Sequence, residues 1–240
     1  MRAIIDITIV AILIVCTWSG YKKGIVMGVG GIIAIIVALF AANIVASTFS
    51  AEVIPAMRPF ASGYMEKQIE EEGGVLEVMG WSETDYSVND LLEIYPEQAE
   101  AFAAQCYREF GIFETSANAM ARSAMERHQL AGGELTDSIV HVLCESASFA
   151  LCYILAFLLV LILLTVLGNL PNLSYKIPNL DTINDAVGAG LGLLTGLLFC
   201  IILVWTLKFT GIIIGEETLK GTVLARVILK LDFLIKFLGV

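Results

Sequence analysis

FALCYILAFLLVLILLTVL, residues 149–167, runs for nineteen positions without a charged side chain. A hydrocarbon core about 30 Å thick takes roughly 20 apolar residues of helix, so this stretch has the length and character of a membrane span. Working outward from it, the apolar run begins near Ile139, and further blocks stand at about 3–19, 24–46 and 187–209. The 240 residues are 58% apolar and 16% charged, whereas soluble domains are roughly half apolar and a quarter charged. This predicts an all-α integral membrane protein whose four transmembrane helices form two hairpins.

The first block is expected to stay in place as a helix rather than act as a cleaved signal peptide. Its lysines, Lys22 and Lys23, follow it instead of preceding it, and a second block begins at once. Gly20-Tyr21-Lys22-Lys23-Gly24 reads as a tight turn, with Trp18 and Tyr21 at interfacial depth. Residues 1–49 would then be one hairpin and 137–214 the second. The second is interrupted by a polar connector from Asn169 to Asp185 that carries Pro171 and Pro178.

Between the hairpins the character changes. Sixteen Asp and Glu face five Lys and Arg between Ser50 and Thr136, which accounts for the net charge of −10 and leaves the rest slightly basic. A basic stripe of the kind that binds nucleic acid is not present, so no nucleic-acid partner is expected. Pro55 and Pro59 are expected to break the second helix, and residues 50–136 to form a helical extramembrane insert. Within it, helices are predicted over Tyr64–Glu72 (stopped by Gly73-Gly74), from an Asn89 or Asp90 cap towards Phe110 with Pro96 placed to kink it, and over Glu114–Leu130 (stopped by Gly132-Gly133). Ala99, Phe102, Ala103, Cys106 and Phe110 share one helical face. Thr136 or Asp137 would cap the third membrane helix. In the tail, 215–240, apolar residues from Val223 to Leu238 recur at helical spacing with Lys220, Arg226, Lys230 and Lys236 mainly off the stripe, which predicts an amphipathic interfacial helix.

The motifs are small and polar residues at helix starts. Gly188, Gly192 and Gly196 are spaced four apart, Gly20, Gly24 and Gly28 repeat the spacing, and Gly30, Ala34, Ala38 and Ala42 extend it. Lipid gives helices no hydrophobic reason to associate, so close backbone packing through such residues is expected. Asp6 is either an intramembrane functional carboxylate or a partner of its own helix N-terminus. His141 and Glu145, four apart, are expected to be interfacial, since His128 is the only other histidine. Four of the five cysteines lie in or beside apolar blocks and Cys106 stands alone, so neither a disulfide framework nor a metal site is expected. No catalytic motif is recognisable, and neither enzymatic activity nor a cofactor is expected.

Asp6, the apolar run to Gly20, Lys22-Lys23-Gly24 and the small-residue helix to Ala42 resemble the N-terminal hairpin of the bacterial colicin V production (CvpA) family. Ile183-Asn184 with Gly188, Gly192 and Gly196 resembles the start of that family's last helix. The resemblance implies a four-helix unit in the bacterial cytoplasmic (inner) membrane, linked to bacteriocin (toxin) production and envelope robustness. Some relatives fuse this unit to an extracytoplasmic serine protease, and that activity is not carried over here. By the positive-inside rule Lys22, Lys23 and Lys176 would put the short connectors in the cytoplasm, and so the acidic segment 50–136 and both termini outside. Arg2, Lys208, Lys220, Arg226, Lys230 and Lys236 lie on the opposite side, and those of the tail are discounted because an interfacial helix binds anionic lipid wherever it lies.

The expected function is therefore a non-enzymatic scaffold or accessory factor in toxin export or envelope homeostasis. Its partners would be the lipid bilayer and either a second copy or an envelope or secretion protein. Two alternatives stay open: a small transporter or channel lined by Asp6, Asn184 and Asp185, and an anchor for a separately encoded partner.

Overall fold

The computed structural model describes residues 2–70, 74–81, 86–169 and 181–209, together with Thr222, Leu224 and Ile228. The regular elements are helices: α1 (Arg2–Glu70), α2 (Val75–Val78), α3 (Val88–Ile94), a 3-10 turn (Pro96–Gln98), α4 (Ala99–Glu109), α5 (Glu114–Ala131), α6 (Leu135–Asn169) and α7 (Asp181–Phe209). Three spans, Ile4–Ile69, Leu135–Leu167 and Ile183–Trp205, are long and apolar enough to cross a membrane. A straight helix of the first, 66-residue span would measure about 100 Å against about 30 Å of hydrocarbon. It is not straight: Gly24, at φ 72° and ψ −173°, leaves the helical region and divides α1 into two arms.

Of the described residues, 2–48 and 152–206 with Thr222, Leu224 and Ile228 make one unit, and 49–151 with 207–209 the other. The first unit turns large apolar side chains outward, among them Ile7, Ile44, Leu159 and Leu194. Such a surface suits an apolar solvent rather than water. Its interior combines Ile9, Ile35, Tyr153 and Val204 with three alanines, Ala38, Ala42 and Ala46. Gly30 is exposed and lies off this buried face. At 3.6 residues per turn a strict four-residue spacing drifts by about 40° per step, so Gly30 has rotated away from Ala38 and Ala42.

The second unit is built the opposite way. Met65, Trp81, Phe102, Tyr107, Phe110 and Met120 fill its core, with Leu135, Ile139 and Cys144 of α6 among them. Trp81 stacks on Phe102 at 5.8 Å and on Tyr95 at 6.2 Å between ring centroids. Ala117, Ala121 and Ala124 are the buried small residues of α5. The Tyr107 hydroxyl donates to the Ile139 carbonyl at 2.9 Å. Burial pushes the Cys106 thiol up to about 12 and raises the Tyr107 phenol as well.

Several helix boundaries differ from the sequence expectation, each for a physical reason. Helix α1 continues through Pro55 and Pro59 to Glu70. Both prolines are exposed, while Ile54, Met57, Ala61, Met65 and Ile69 pack as a continuous stripe on the core. Packing on that face holds the helix through backbone defects that the opposite face leaves open. The cap before α3 is Ser87, not Asn89 or Asp90: its hydroxyl accepts from the Asp90 N–H at 3.2 Å, and Asp90 answers by accepting the Ser87 N–H at 3.2 Å. This is a capping box with Asp in the third position. Pro96 ends α3 and starts the 3-10 turn, so one expected helix becomes two. Helix α5 runs one residue beyond the expected Leu130, to Ala131, and stops where expected, at Gly132 with φ 69°. Helix α6 starts at Leu135, ahead of the expected Thr136 or Asp137 cap. Gly73, most of the connector (170–180, with Lys176) and the tail helix outside Thr222, Leu224 and Ile228 lie outside the described residues.

Candidate functional site

Helix α7 carries Asn184 and Asp185 near its start and then presents Gly188, Gly192 and Gly196 towards α1. A Cβ on Gly188 would stand 2.9 Å from the Gly24 Cα and run into the Gly20 carbonyl. One on Gly192 would stand 3.0 Å from the Gly20 Cα and overlap the Cys16 carbonyl. One on Gly196 would come 3.0 Å from the Cys16 Cβ and 3.3 Å from Leu13. Further along, the Cys200 thiol lies 3.8 Å from the Ile9 carbonyl. As α7 advances from 188 to 200, its partner on α1 retreats from 20 to 9, so this arm runs antiparallel to α7. Beyond the break, a Cβ on Gly28 would stand 2.9 Å from the Leu191 Cβ. Backbone therefore meets backbone at Gly20, Gly188 and Gly192, the approach that small residues permit where packing alone binds helices. By contrast Gly30, Gly31 and Gly190 face open space.

Gly24 is required twice over. Its positive φ favours glycine, and a Cβ there would also strike the Asn184 amide. The break leaves the first N–H groups of the resumed helix without intrahelical acceptors. Asn184 supplies one: its Oδ1 accepts the Ile25 N–H at 3.0 Å, across 159 residues of sequence. It is fully buried, and its Nδ2 has no hydrogen-bond partner among the described residues. Asn184 thus acts as a helix cap delivered from another helix, in the role a serine or asparagine ordinarily plays just before its own helix.

The other singled-out residues lie apart from this clasp or beside it. Asp185 is half-buried next to Asn184 on α7. Asp6, half-buried one turn into α1, accepts the Leu224 N–H at 3.2 Å and so engages the tail. His141 and Glu145 belong to the second unit, with Nδ1 and Oε2 3.9 Å apart. On the same face of α6, Asp137 forms an ion pair with Arg58 of α1, a pairing across 79 residues that spacing alone did not indicate. Among the described residues, no three His, Cys, Asp or Glu side chains converge as metal ligands.

Residues 122–232 match the family model described as colicin V production protein. No curated protein and no solved structure matches the chain. The matched stretch takes in the end of α5, the whole of α6 and α7 and part of the tail, including Asn184 and all three α7 glycines. Its bounds differ from the resemblance read in the sequence, which rested on the first two apolar blocks as well as the fourth. The α1 side of the seam, Gly20, Gly24 and Gly28, falls outside the matched residues. The match over residues 122–232 and three helices long and apolar enough to cross a membrane agree with a membrane protein.

Proposed function

We propose that the chain is a non-enzymatic CvpA-like accessory factor of the bacterial inner membrane. In this reading Gly24 turns α1 back on itself, so that its two arms, α6 and α7 make four spans arranged as two hairpins. The packing of Gly20 and Gly28, on either side of the break, against residues 188–192 of one helix supports that arrangement. The acidic second unit and both termini lie outside the cytoplasm, where the unit meets an envelope or secretion protein. The bundle supports toxin export or envelope homeostasis.

The observation that carries this reading is the use to which the buried polar groups are put. Asn184 and Asp6, two of the residues that would line a conduit, each hold a backbone N–H of a distant segment. That is the work of joints in a scaffold, and it favours a scaffold over a transporter. The test is complementation in a toxin-secreting host that lacks its own family member. Restored secretion by the wild-type chain, with no ion flux from liposomes reconstituted with it, supports the proposal. Stable membrane insertion without restored secretion, or a flux that disappears in Asp6→Asn, overturns it.

A further inference from the structure

Close packing at the glycine seam has a consequence on its flank. Where Gly188 and Gly192 let α1 and α7 approach backbone to backbone, their neighbours Ala189 and Leu193 stand beside Leu13, Ile14, Thr17 and Trp18. Together they wall a groove of about 450 Å³. The groove is apolar throughout: even the Thr17 hydroxyl is turned to the Leu13 carbonyl, 2.7 Å away. Ile14 and Trp18 remain 63% and 61% exposed along it. Ile14, Trp18 and Lys22 are spaced four apart and so share one stripe of α1. The stripe changes from aliphatic to aromatic to cationic along its length. At its far end the Lys22 ammonium lies over the Trp18 ring, 5.2 Å from the centroid, and Tyr21 is 6.3 Å from Trp18 between ring centroids.

From Leu13 to Lys22 the helix rises about 14 Å, close to the half-thickness of a hydrocarbon core of about 30 Å. An apolar groove one leaflet deep, ending in an aromatic ring and a cation, has the length and polarity of one phospholipid chain leading to its headgroup. We infer that this groove binds an anionic phospholipid, its acyl chain along Ile14, Ala189 and Leu193 and its phosphate at Lys22. Lys23, the next residue, adds positive charge at the same depth, its side chain lining the adjoining cleft with Ser19 and Gly20. Asp185, one turn before Ala189 on α7, is the carboxylate nearest in sequence on that helix, and the two lysines leave that end net positive. A zwitterionic headgroup would satisfy the phosphate contact without the net attraction.

The test uses the full chain in mixed micelles holding equal amounts of phosphatidylglycerol, phosphatidylethanolamine and phosphatidylcholine with the same acyl chains, read by native mass spectrometry. A lysine near a membrane surface contributes enough to anionic lipid binding to give about a fivefold preference. The expected result is a phosphatidylglycerol adduct enriched about fivefold or more, with Lys22→Gln returning it to near parity. Ala189→Phe, which fills the groove and keeps both lysines, should abolish the retained adduct. A variant-free check guards against misfolding: glycerophosphoglycerol, the headgroup without chains, should fail to displace the lipid. Equal adducts of all three lipids, enrichment of phosphatidylethanolamine, displacement by the bare headgroup, or an undiminished adduct in folded Ala189→Phe would each overturn the inference.

Discussion

The two units of this chain solve the packing problem with opposite materials. In the first, helices meet through the absence of side chains: Gly20 against Gly188 and Gly192, Gly24 against Asn184. In the second, they meet through the largest side chains available, with Trp81, Phe102, Tyr107 and Phe110 buried together. With the first unit in the membrane and the second outside it, as proposed, the solvent explains the contrast. Water rewards removal of apolar area, so a water-facing unit gains most from large side chains. Lipid offers no such reward, so helices associate where backbones come close enough for dispersion and for buried polar contacts. Asn184 illustrates the second route, since one buried amide there satisfies a backbone donor that lipid would leave bare.

Each half of this comparison can be attacked separately. The largest effect is expected from Gly192→Ile, whose side chain has no room beside the Cys16 carbonyl and Gly20. Overpacking against side chains that can yield typically costs about 1–3 kcal/mol; here the obstruction is backbone, which cannot give way, so the loss should exceed that of a core cavity. Membrane-inserted protein should lose its cooperative unfolding transition in detergent titration, and an unchanged transition would break the seam. Phe102→Ala should cost about 3–5 kcal/mol through the cavity it leaves in the second unit, read by thermal denaturation. The same large-to-small change at an exposed membrane position, Leu159→Ala, should have a far smaller effect.

Asn184→Ala should destabilise the first unit by about 1–3 kcal/mol, because it leaves the Ile25 N–H buried without its acceptor. Gly24→Ala should be at least as harmful, since it meets both the Asn184 amide and the positive φ. A mild effect at both positions would mean that the break in α1 is held by other contacts.

Cys106 sharpens the second half of the comparison. Its thiol is pushed up to about 12 in the folded unit from an ordinary value of 9.0. Above the unfolded value the unfolded chain releases this proton and the folded chain keeps it, so the thiol's contribution falls as pH rises from about 9 towards 12. That loss should be absent in Cys106→Ala, measured by denaturant titration across the window. The same burial makes Cys106 a poor reporter of sidedness: an impermeant maleimide should not label it in the native protein. A cysteine-free variant carrying Ser123→Cys, at an exposed position on α5, should label in intact cells if the acidic unit lies outside. Labelling only after lysis would reverse the proposed topology. The smallest effect is expected from Ser87→Ala, about 1 kcal/mol from the lost capping box.

Composition and periodicity alone were enough to settle the class. Nineteen uncharged residues at 149–167 and the apolar blocks around them admit little but membrane helices, because hydrocarbon length and backbone satisfaction leave few other structures. The α4 face, Ala99 to Phe110, and α5 were legible for the same reason: helical spacing is a local property. The four-residue glycine spacing showed which residues would meet, but not what each would meet. That Asn184 caps a helix 159 residues away, and that Asp6 holds Leu224, are decisions of tertiary structure. A side-chain oxygen satisfies any bare N–H that packing brings to it, and sequence distance carries no trace of that approach. Pro55 and Pro59 mark the same boundary from the other side. Local rules end a helix there, and only the stripe of Ile54, Met57, Ala61 and Met65 on a distant core keeps it whole.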